Sequence, residues 1–201
     1  MLTLPTVSKE SINAAMIDWA GLSKRYINPG ELECVIGLLQ EVKPKAMIEF
    51  GVNEGRTAFA VLRSVPSITH YLGIDVPRGF TPPLRVQRNE VPVQPGHLVE
   101  NDPRFTLLLP TMGSRYLTPG DLFEVDAVFV DGDHSYDGVM HDTMLAWSVI
   151  RPGGVIIWHD YHDAGTVEVR EALHDLAEHG EEIMHIEGTW LAFQRINGSL
   201  A

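Results

Sequence analysis

Short apolar runs alternate with stretches of helical periodicity along most of the chain. Five runs are continuous rather than alternating, as in strands that are buried on both faces: residues 46–50, 70–75, 105–109, 126–130 and 154–158. The segments between several of them carry apolar residues three or four positions apart, which indicates helices. Strands and helices in alternation predict an α/β fold with a mainly parallel, Rossmann-like sheet that helices cover on both faces.

Two of the predicted helices precede the first strand, within an N-terminal segment of residues 1–44. One spans residues 11–22. The second carries an apolar stripe that consists of Leu32, Val35, Ile36, Leu39 and Val42. Asn28, Pro29 and Glu31 form a box-like start signal for that second helix.

The remaining predicted helices follow the first, fourth and fifth strands. In the helix after the fourth strand, one apolar face is expected from Met140, Met144, Trp147 and Ile150. Two further strands, residues 182–187 and 190–196, close the chain with only a Gly-Thr turn between them. Because no helix separates these two strands, they predict a hairpin, and the last of seven strands should run antiparallel to the others.

Residues 76–103 interrupt this regularity. They contain six prolines and little periodicity. A loop of this length within a compact domain is usually functional or disordered, so we expect a lid or a substrate-binding insertion, with a surface excursion of no role as the alternative.

Length and composition narrow the class of protein. The 201 residues fit a single domain. No apolar run is long enough to cross a bilayer and no secretory signal is apparent, so a cytoplasmic location without membrane attachment is expected. Cys34 is the only cysteine, which excludes an intrachain disulfide.

Charge also limits the partners. Acidic residues outnumber Lys and Arg by 27 to 15, which gives a formal charge of −12. General binding to nucleic acid depends on Lys and Arg and is therefore not expected. A small molecule is the expected partner; the N-terminal helix could also form a homo-oligomer interface.

The turn after the first strand is a candidate ligand site. Gly51 and Gly55 stand four positions apart, and ligands of open parallel sheets bind beyond the carboxyl ends of the strands. This G-x-x-x-G spacing is not the G-x-G-x-x-G of a dinucleotide fold, and no G-K-[ST] of a P-loop is present. An NAD-dependent oxidoreductase is therefore disfavoured.

Two acids near this turn are candidate ligand contacts. Asp75 ends the second strand, 24 positions after Gly51, where a carboxylate can accept hydrogen bonds from ribose hydroxyls. Glu49 lies just before the end of the first strand, where an unpaired carboxylate would be costly. Glu49 is expected either to accept hydrogen bonds from the ammonium group of an amino-acid ligand or to brace the loop.

Four motifs carry a resemblance to a known family. "IEFGVNEGRTA", "YLGIDV", "VFVDGDHSYDGVMHD" and "IRPGGVIIWHDY", in that order, resemble the class I S-adenosylmethionine-dependent methyltransferases. They are similar in particular to the branch that groups macrocin-type sugar O-methyltransferases with cephalosporin-hydroxylase-like proteins. The resemblance covers roughly residues 45–195 and implies a seven-stranded sheet whose last strand is antiparallel.

The same resemblance implies a cofactor site for S-adenosylmethionine. The methionine part would contact the first glycine turn, and the ribose would contact the acid that ends the second strand. The adenine contact would come from main chain or side chains in "PTMGSRY", which lacks the acid that the family often has there. Two residues that follow the fourth strand, Asp131 and His134, are also expected near the cofactor. The full set of cofactor-binding residues is then Glu49, Gly51, Asn53, Gly55, Asp75, Met112, Ser114, Asp131 and His134.

Related O-methyltransferases place divalent-metal ligands after the fourth and fifth strands. Those positions are Asp131, His159 and Asp160. Two carboxylates and a histidine suit Mn²⁺, Fe²⁺ or Zn²⁺ and, less well, Mg²⁺. A metal there would lower the pKa of an acceptor hydroxyl. Alternatively, His159 acts as the general base without metal, or the three residues have a purely structural role.

The expected activity is methyl transfer from S-adenosylmethionine to a hydroxyl of a small molecule or glycan unit. The competing hypothesis is a non-catalytic cofactor-binding or assembly protein that kept the fold. Within "DGDHSYDG", Ser135 or Asp137 is predicted to cap the following helix, and His141 is expected on its solvated face.

Overall fold

A mainly parallel sheet organises the molecule. The computed structural model describes residues 3–12, 17 and 30–197. Its strands, in chain order, are β1 (Thr6–Val7), β2 (Ala46–Phe50), β3 (His70–Ile74), β4 (Phe105–Leu108), β5 (Thr111–Ser114), β6 (Val125–Val130), β7 (Ile150–Trp158), β8 (Met184–Ile186) and β9 (Ala192–Arg195). All except β5 pair in one sheet, in the order β1-β8-β9-β7-β6-β2-β3-β4.

Strand direction agrees with the predicted α/β fold. The neighbours β7, β6, β2, β3 and β4 are all parallel, and β9 is antiparallel to both β7 and β8. The antiparallel last strand is therefore confirmed. Over the described residues the sheet has eight strands rather than seven, because Thr6–Val7 pairs with β8. A two-residue strand is too short to produce a periodic signal.

Helices cover both faces of the sheet, as the continuous apolar strands require. They are α1 (Glu31–Val42), α2 (Arg56–Ser64), α3 (Tyr136–Val149) and α4 (Val169–Glu178). Short 3₁₀ turns occupy Lys9–Ile12, Val86–Asn89 and Pro119–Asp121. Met47 packs with α1 and α2 in one hydrophobic core, whereas its neighbour Ile48 packs with α3 and α4 in a second core on the opposite face.

Two helix predictions need correction or fall outside the described residues. Of the four residues predicted to form the apolar face of α3, Met140, Trp147 and Ile150 pack against the core, but Met144 is 59% exposed. The buried residues of α3 are instead Val139, Asp142, Thr143, Leu145, Ala146 and Val149. Most of the predicted helix 11–22, like Asn28 and Pro29, lies outside the described residues.

The sheet order changes direction at one point. From β2 the chain continues outward to β3 and β4, and then returns to place β6 on the other side of β2. Ligands of open α/β sheets bind at such a switch point, beyond the carboxyl ends of the strands. Among the described residues, no helix is long and apolar enough to cross a membrane.

Candidate active site

A cavity of about 560 Å³ lies at this switch point. Its wall includes the carboxyl ends of β2, β3, β6 and β7, the 112–115 segment, the first turns of α3 and part of the 76–103 insertion. Most of the candidate site residues line it: Gly51, Asn53, Asp75, Met112, Ser114, Asp131, His134, His159 and Asp160. Glu49 and Gly55 are not among the lining residues.

The glycine turn after β2 borders the cavity and lies very close to the backbone that follows β6. Gly51 has a φ of +83°, and a Cβ on it would lie 2.0 Å from the carbonyl oxygen of Asp131. Only glycine fits both the backbone conformation and this approach of two strand ends. Gly55 has a different use, because a Cβ there would meet Val99 at 3.1 Å and Gly96 at 3.3 Å, so it allows the insertion to pack onto α2.

Asp75 projects from the end of β3 into the cavity. Its carboxylate oxygens accept backbone hydrogen bonds from Asn53 and Val76, each 2.6 Å long. Burial raises the pKa of Asp75 to about 6, although these hydrogen bonds oppose the shift. The carboxylate is therefore held rigidly at the position that was predicted to hold a ribose.

Glu49 lies in the core beneath the turn. Its Oε2 accepts a hydrogen bond of 2.9 Å from the Tyr71 hydroxyl. Burial, together with the charges of Asp131 and Asp75, raises the pKa of Glu49 well above its ordinary value. The contact with Tyr71 and the position outside the cavity wall favour the bracing role of Glu49 over direct contact with a ligand.

Four side chains form an acid-histidine cluster at the ends of β6 and β7. His134 places Nε2 3.3 Å from Asp131 Oδ1 and Nδ1 3.2 Å from Asp160 Oδ2. His159 places Nδ1 3.3 Å from Asp131 Oδ1 and 3.5 Å from Asp160 Oδ1. Each acid thus contacts both histidines.

Mutual attraction decides the charge state of this cluster. Burial alone would lower the pKa of His159, but the charge of Asp131 and hydrogen bonds to Asp131, Asp160 and Glu31 raise it well above the ordinary value. Burial would likewise raise the pKa of Asp131, and the two histidines instead hold it below its usual range. The contacts therefore favour ionised acids paired with protonated imidazoles over the neutral forms.

The cluster also has the composition of a cation site. Asp131, His134 and Asp160 each offer one ligand atom, and these three atoms all lie within 4.8 Å of one another. Asp160 has a φ of +56°, which is uncommon for a residue other than glycine. Such conformations cluster at functional sites, where surrounding contacts compensate for the strain.

Glu31 reaches the cluster from the first turn of α1. Its side chain is buried, with Oε2 3.1 Å from His159 Nε2 and Oε1 accepting a 2.6 Å hydrogen bond from the Trp190 backbone. The sequence suggested a helix-start role instead. One feature of the sequence could have indicated this burial: Glu31 lies four residues before Val35, and so on the same face of the helix as the apolar stripe.

Gln87 fastens the insertion to the cluster. Its side-chain amide donates to the Gly132 carbonyl at 2.8 Å and accepts from the His134 backbone N–H at 3.1 Å. Asn53 makes a further bond of 2.8 Å to the Glu90 carbonyl. No sequence pattern identified Gln87, because an isolated glutamine in a loop carries no periodic signal.

The end of the cavity beside α3 contains a further acid, Asp142. Asp142 is 1% exposed, and no well-formed hydrogen bond from the described residues reaches its carboxylate oxygens, although the Ser114 side chain lies close enough to lower its pKa a little. Burial raises the pKa of Asp142 to about 7. His141, expected on the solvated face, instead donates from Nε2 to the Ser114 carbonyl at 2.9 Å and lines the cavity. Ser135 caps α3 as predicted, by accepting from the Gly138 N–H.

Comparison with known proteins identifies the domain type. A family model described as "Methyltransferase domain" matches residues 48–161, more than half of the chain. A curated relative, an uncharacterised protein of Acanthamoeba polyphaga mimivirus, is 41% identical over 39 residues. That match covers 19% of this chain and only 18% of the viral protein.

Solved structures share the fold. The S-adenosylhomocysteine-bound methyltransferase of Podospora anserina aligns over 94% of this chain and 86% of its own, with a TM-score of 0.62 and 13% identity. An O-methyltransferase of Bacillus cereus in complex with S-adenosylhomocysteine covers 88% and 85%, with a TM-score of 0.58 and 13% identity. TomG of Streptomyces achromogenes, an O-methyltransferase of tomaymycin synthesis in complex with S-adenosylmethionine, covers 86% and 82%, with a TM-score of 0.57 and 18% identity.

Proposed function

The chain belongs to the methyltransferase-domain family, whose class I members use S-adenosylmethionine, and we propose that it methylates a hydroxyl group of a small molecule or glycan unit with the help of a divalent cation. The observation that carries the proposal is the position of the acid-histidine cluster. Asp131 and Asp160 line the same cavity as Gly51 and Asp75, at the switch point of the sheet.

The cavity wall suits S-adenosylmethionine, which supplies an electrophilic methyl group on sulfur. Gly51 and Asn53 would hold the methionine part, and the carboxylate of Asp75 would accept hydrogen bonds from the ribose. The buried carboxylate of Asp142 offers an acceptor for the amino group of adenine, beside Ser114. A buried acceptor without a well-formed hydrogen bond gains stability when a donor arrives, which supports a ligand at that end.

The cluster suits a divalent cation, which would lower the pKa of an acceptor hydroxyl. Asp131, His134 and Asp160 would hold it, since their ligand atoms already lie within 4.8 Å of one another. His134 would bind as the neutral imidazole, so the cation would displace its ring proton. His159 in place of His134 is the second arrangement that the distances allow. The mixed oxygen and nitrogen set favours Mn²⁺, Fe²⁺ or Zn²⁺ over Mg²⁺.

The contacts of His159 favour this reading over base catalysis by His159 alone. Both ring nitrogens are engaged, Nε2 with Glu31 and Nδ1 with the two acids. The neighbouring acids raise the pKa of His159 well above its ordinary value, which disfavours the neutral imidazole that a general base requires. His159 instead holds Asp131 and Asp160 in place. The apolar insertion wall, from Phe80 to Pro92, would exclude water and align the acceptor.

Calorimetric titration with S-adenosylmethionine tests the cofactor site. We expect the unmodified protein to bind, and Asp75→Ala to weaken binding by about 1.5–3 kcal/mol, as for other hydrogen bonds to a charged group. Asp163→Ala removes an exposed acid and is the matched control, with unchanged affinity. Absence of binding by the unmodified protein would contradict the proposal.

Chelation tests the cation. Methyl transfer to an acceptor found in a panel of hydroxylated compounds should stop after dialysis against EDTA and return when Mn²⁺ is added. Full activity in excess EDTA would rule out the cation-assisted reaction.

A further inference from the structure

We infer that Glu31 is a positioning residue of the active site, whose carboxylate fixes the ring of His159 and, through that ring, the carboxylates of Asp131 and Asp160. This role deepens the proposed function, and its link to cation binding rests on that function. Glu31 lies outside the segment 48–161 that the family model matches.

The contacts form one continuous chain of hydrogen bonds. Glu31 Oε2 lies 3.1 Å from His159 Nε2, and His159 Nδ1 lies 3.3 Å from Asp131 and 3.5 Å from Asp160. Glu31 is fully buried and His159 is 5% exposed. Water therefore does not compete for these bonds, and the ring has little freedom to turn.

The chemistry of a carboxylate decides which ring nitrogen faces the acids. Glu31 Oε2 lies 3.1 Å from His159 Nε2, and an ionised carboxylate only accepts hydrogen bonds, so with Glu31 ionised this contact requires an N–H on Nε2 that donates to Glu31. The ring is thereby held with Nδ1 towards Asp131 and Asp160. A glutamine at position 31 could donate as well as accept, and would remove this constraint.

The second oxygen of Glu31 ties the same network to the cavity wall. Oε1 accepts a 2.6 Å hydrogen bond from the backbone N–H of Trp190, in the connection between β8 and β9. The Trp190 side chain lines the cavity and packs against His162, with ring centroids 4.3 Å apart. One buried acid from α1 thus holds both the cluster and a wall of the cavity.

A residue that hydrogen-bonds to the ligands of a metal, without touching the metal, changes the affinity of the site for that metal. Groups that orient the ligands of a metal commonly change its affinity by about 10- to 100-fold when they are removed. The cofactor contacts proposed at Gly51 and Asp75 do not involve Glu31. Loss of the Glu31 carboxylate should therefore weaken cation binding while leaving cofactor binding intact.

The first test is Mn²⁺ titration followed by electron paramagnetic resonance. Glu31→Gln should weaken Mn²⁺ binding by about 10- to 100-fold, with unchanged affinity for S-adenosylhomocysteine. Glu41→Gln makes the same chemical change on the same helix, at a residue that pairs with Arg195 at the surface, and should leave both affinities unchanged. Unaltered Mn²⁺ affinity in a folded Glu31→Gln variant would overturn the inference.

The second test needs neither a cation nor a Glu31 variant. Nitrogen-15 NMR of the histidine-labelled protein should show a slowly exchanging proton on His159 Nε2 in the unmodified protein, with assignment from His159→Asn. Absence of that proton overturns the role of Glu31. If the proton is present but Mn²⁺ does not bind, the cation of the proposed function fails while the positioning of His159 by Glu31 stands.

Discussion

Asp142 shows at the scale of one residue how a buried acid in the cavity wall affects the stability of the protein. Its carboxylate is enclosed by α3 and the loop after β6, close enough that a Cβ on Gly132 would lie 3.1 Å from Oδ2. Neither oxygen has a well-formed hydrogen bond from the described residues, and burial raises the pKa to about 7. The folded protein therefore retains a proton on Asp142 that the unfolded chain loses at lower pH.

The pH dependence of stability follows from that difference. Where the folded state binds more protons than the unfolded state, stability falls as pH rises, here between about pH 4 and pH 7. Asp142→Asn removes this loss, so the variant should be more stable than the unmodified protein at pH 8, by about 4 kcal/mol, and similar to it at pH 4. Urea denaturation across this pH range measures the effect. Asp137→Asn, at an exposed position of the same helix, is the control; a difference that does not vary with pH would contradict the assignment.

Gly51 gives a second prediction at this scale. Gly51→Ala should destabilise the fold by about 3 kcal/mol or more and abolish cofactor binding, because the new Cβ would lie 2.0 Å from the Asp131 carbonyl. Gly79→Ala is a matched control, since Gly79 has a φ of +85° but nothing within 4 Å of its Cβ position. The control should lose only about 1 kcal/mol. Stability is measured by thermal unfolding. If both variants lose the same stability, the positive φ alone, and not the contact with Asp131, explains the effect at Gly51.

At the scale of elements, the 76–103 insertion forms a wall of the site. Gln87 fastens it to the loop after β6 through Gly132 and His134, and Asn53 fastens it to the turn after β2. Its segment from Phe80 to Pro92 adds Phe80, Pro82, Pro83, Val91 and Pro92 to the cavity wall. An insertion held by a few polar contacts can open locally at a lower free energy than the sheet.

Removal of the Gln87 contacts should loosen the insertion without unfolding the sheet. In Gln87→Ala, amide hydrogen exchange of residues 80–92 should become faster, and S-adenosylhomocysteine should dissociate faster, because two hydrogen bonds worth about 1 kcal/mol each are lost. Gln94→Ala is the control, since the Gln94 side chain bonds to the side chain of the exposed Glu100 and not to the cluster. Faster exchange in the strands as well would point to a global effect and contradict a local fastening.

At the scale of the whole molecule, charge favours a cationic ligand. The chain carries a formal charge of −12. The acids that line the cavity are Asp75, Glu90, Asp131, Asp133, Asp137, Asp142 and Asp160, and the lining includes one arginine, Arg115. Such a field attracts cations and repels phosphorylated or carboxylated acceptors.

A comparison of the cofactor with its demethylated product tests the electric field of the acidic cavity directly. S-adenosylmethionine carries a positive sulfonium that S-adenosylhomocysteine lacks, so only the former should bind more weakly as salt screens the acids. Titration between about 0.01 M and 0.5 M NaCl should show a clear loss of affinity for S-adenosylmethionine and little change for S-adenosylhomocysteine. The same salt dependence for both ligands would contradict steering by the acidic cavity.

The sequence by itself determined the order of the strands and helices and the edge at which the site lies. Continuous apolar runs depend on local burial, and parallel strands bring their carboxyl ends together, so the residues after β6 and β7 could be placed at one edge. The resemblance to the methyltransferase family then singled out Asp131, His159 and Asp160 among them. The glycine spacing after β2 excluded a dinucleotide fingerprint.

Only the tertiary structure decided which side chains meet. Glu31 contacts His159 across 128 positions, and Gln87 contacts His134 across 47. The ring of His134 lies between Asp131 and Asp160, and Met144 lies on the solvent side of α3. These contacts depend on the order of strands in the sheet and on packing between distant segments, and neither is encoded in the local periodicity of the chain.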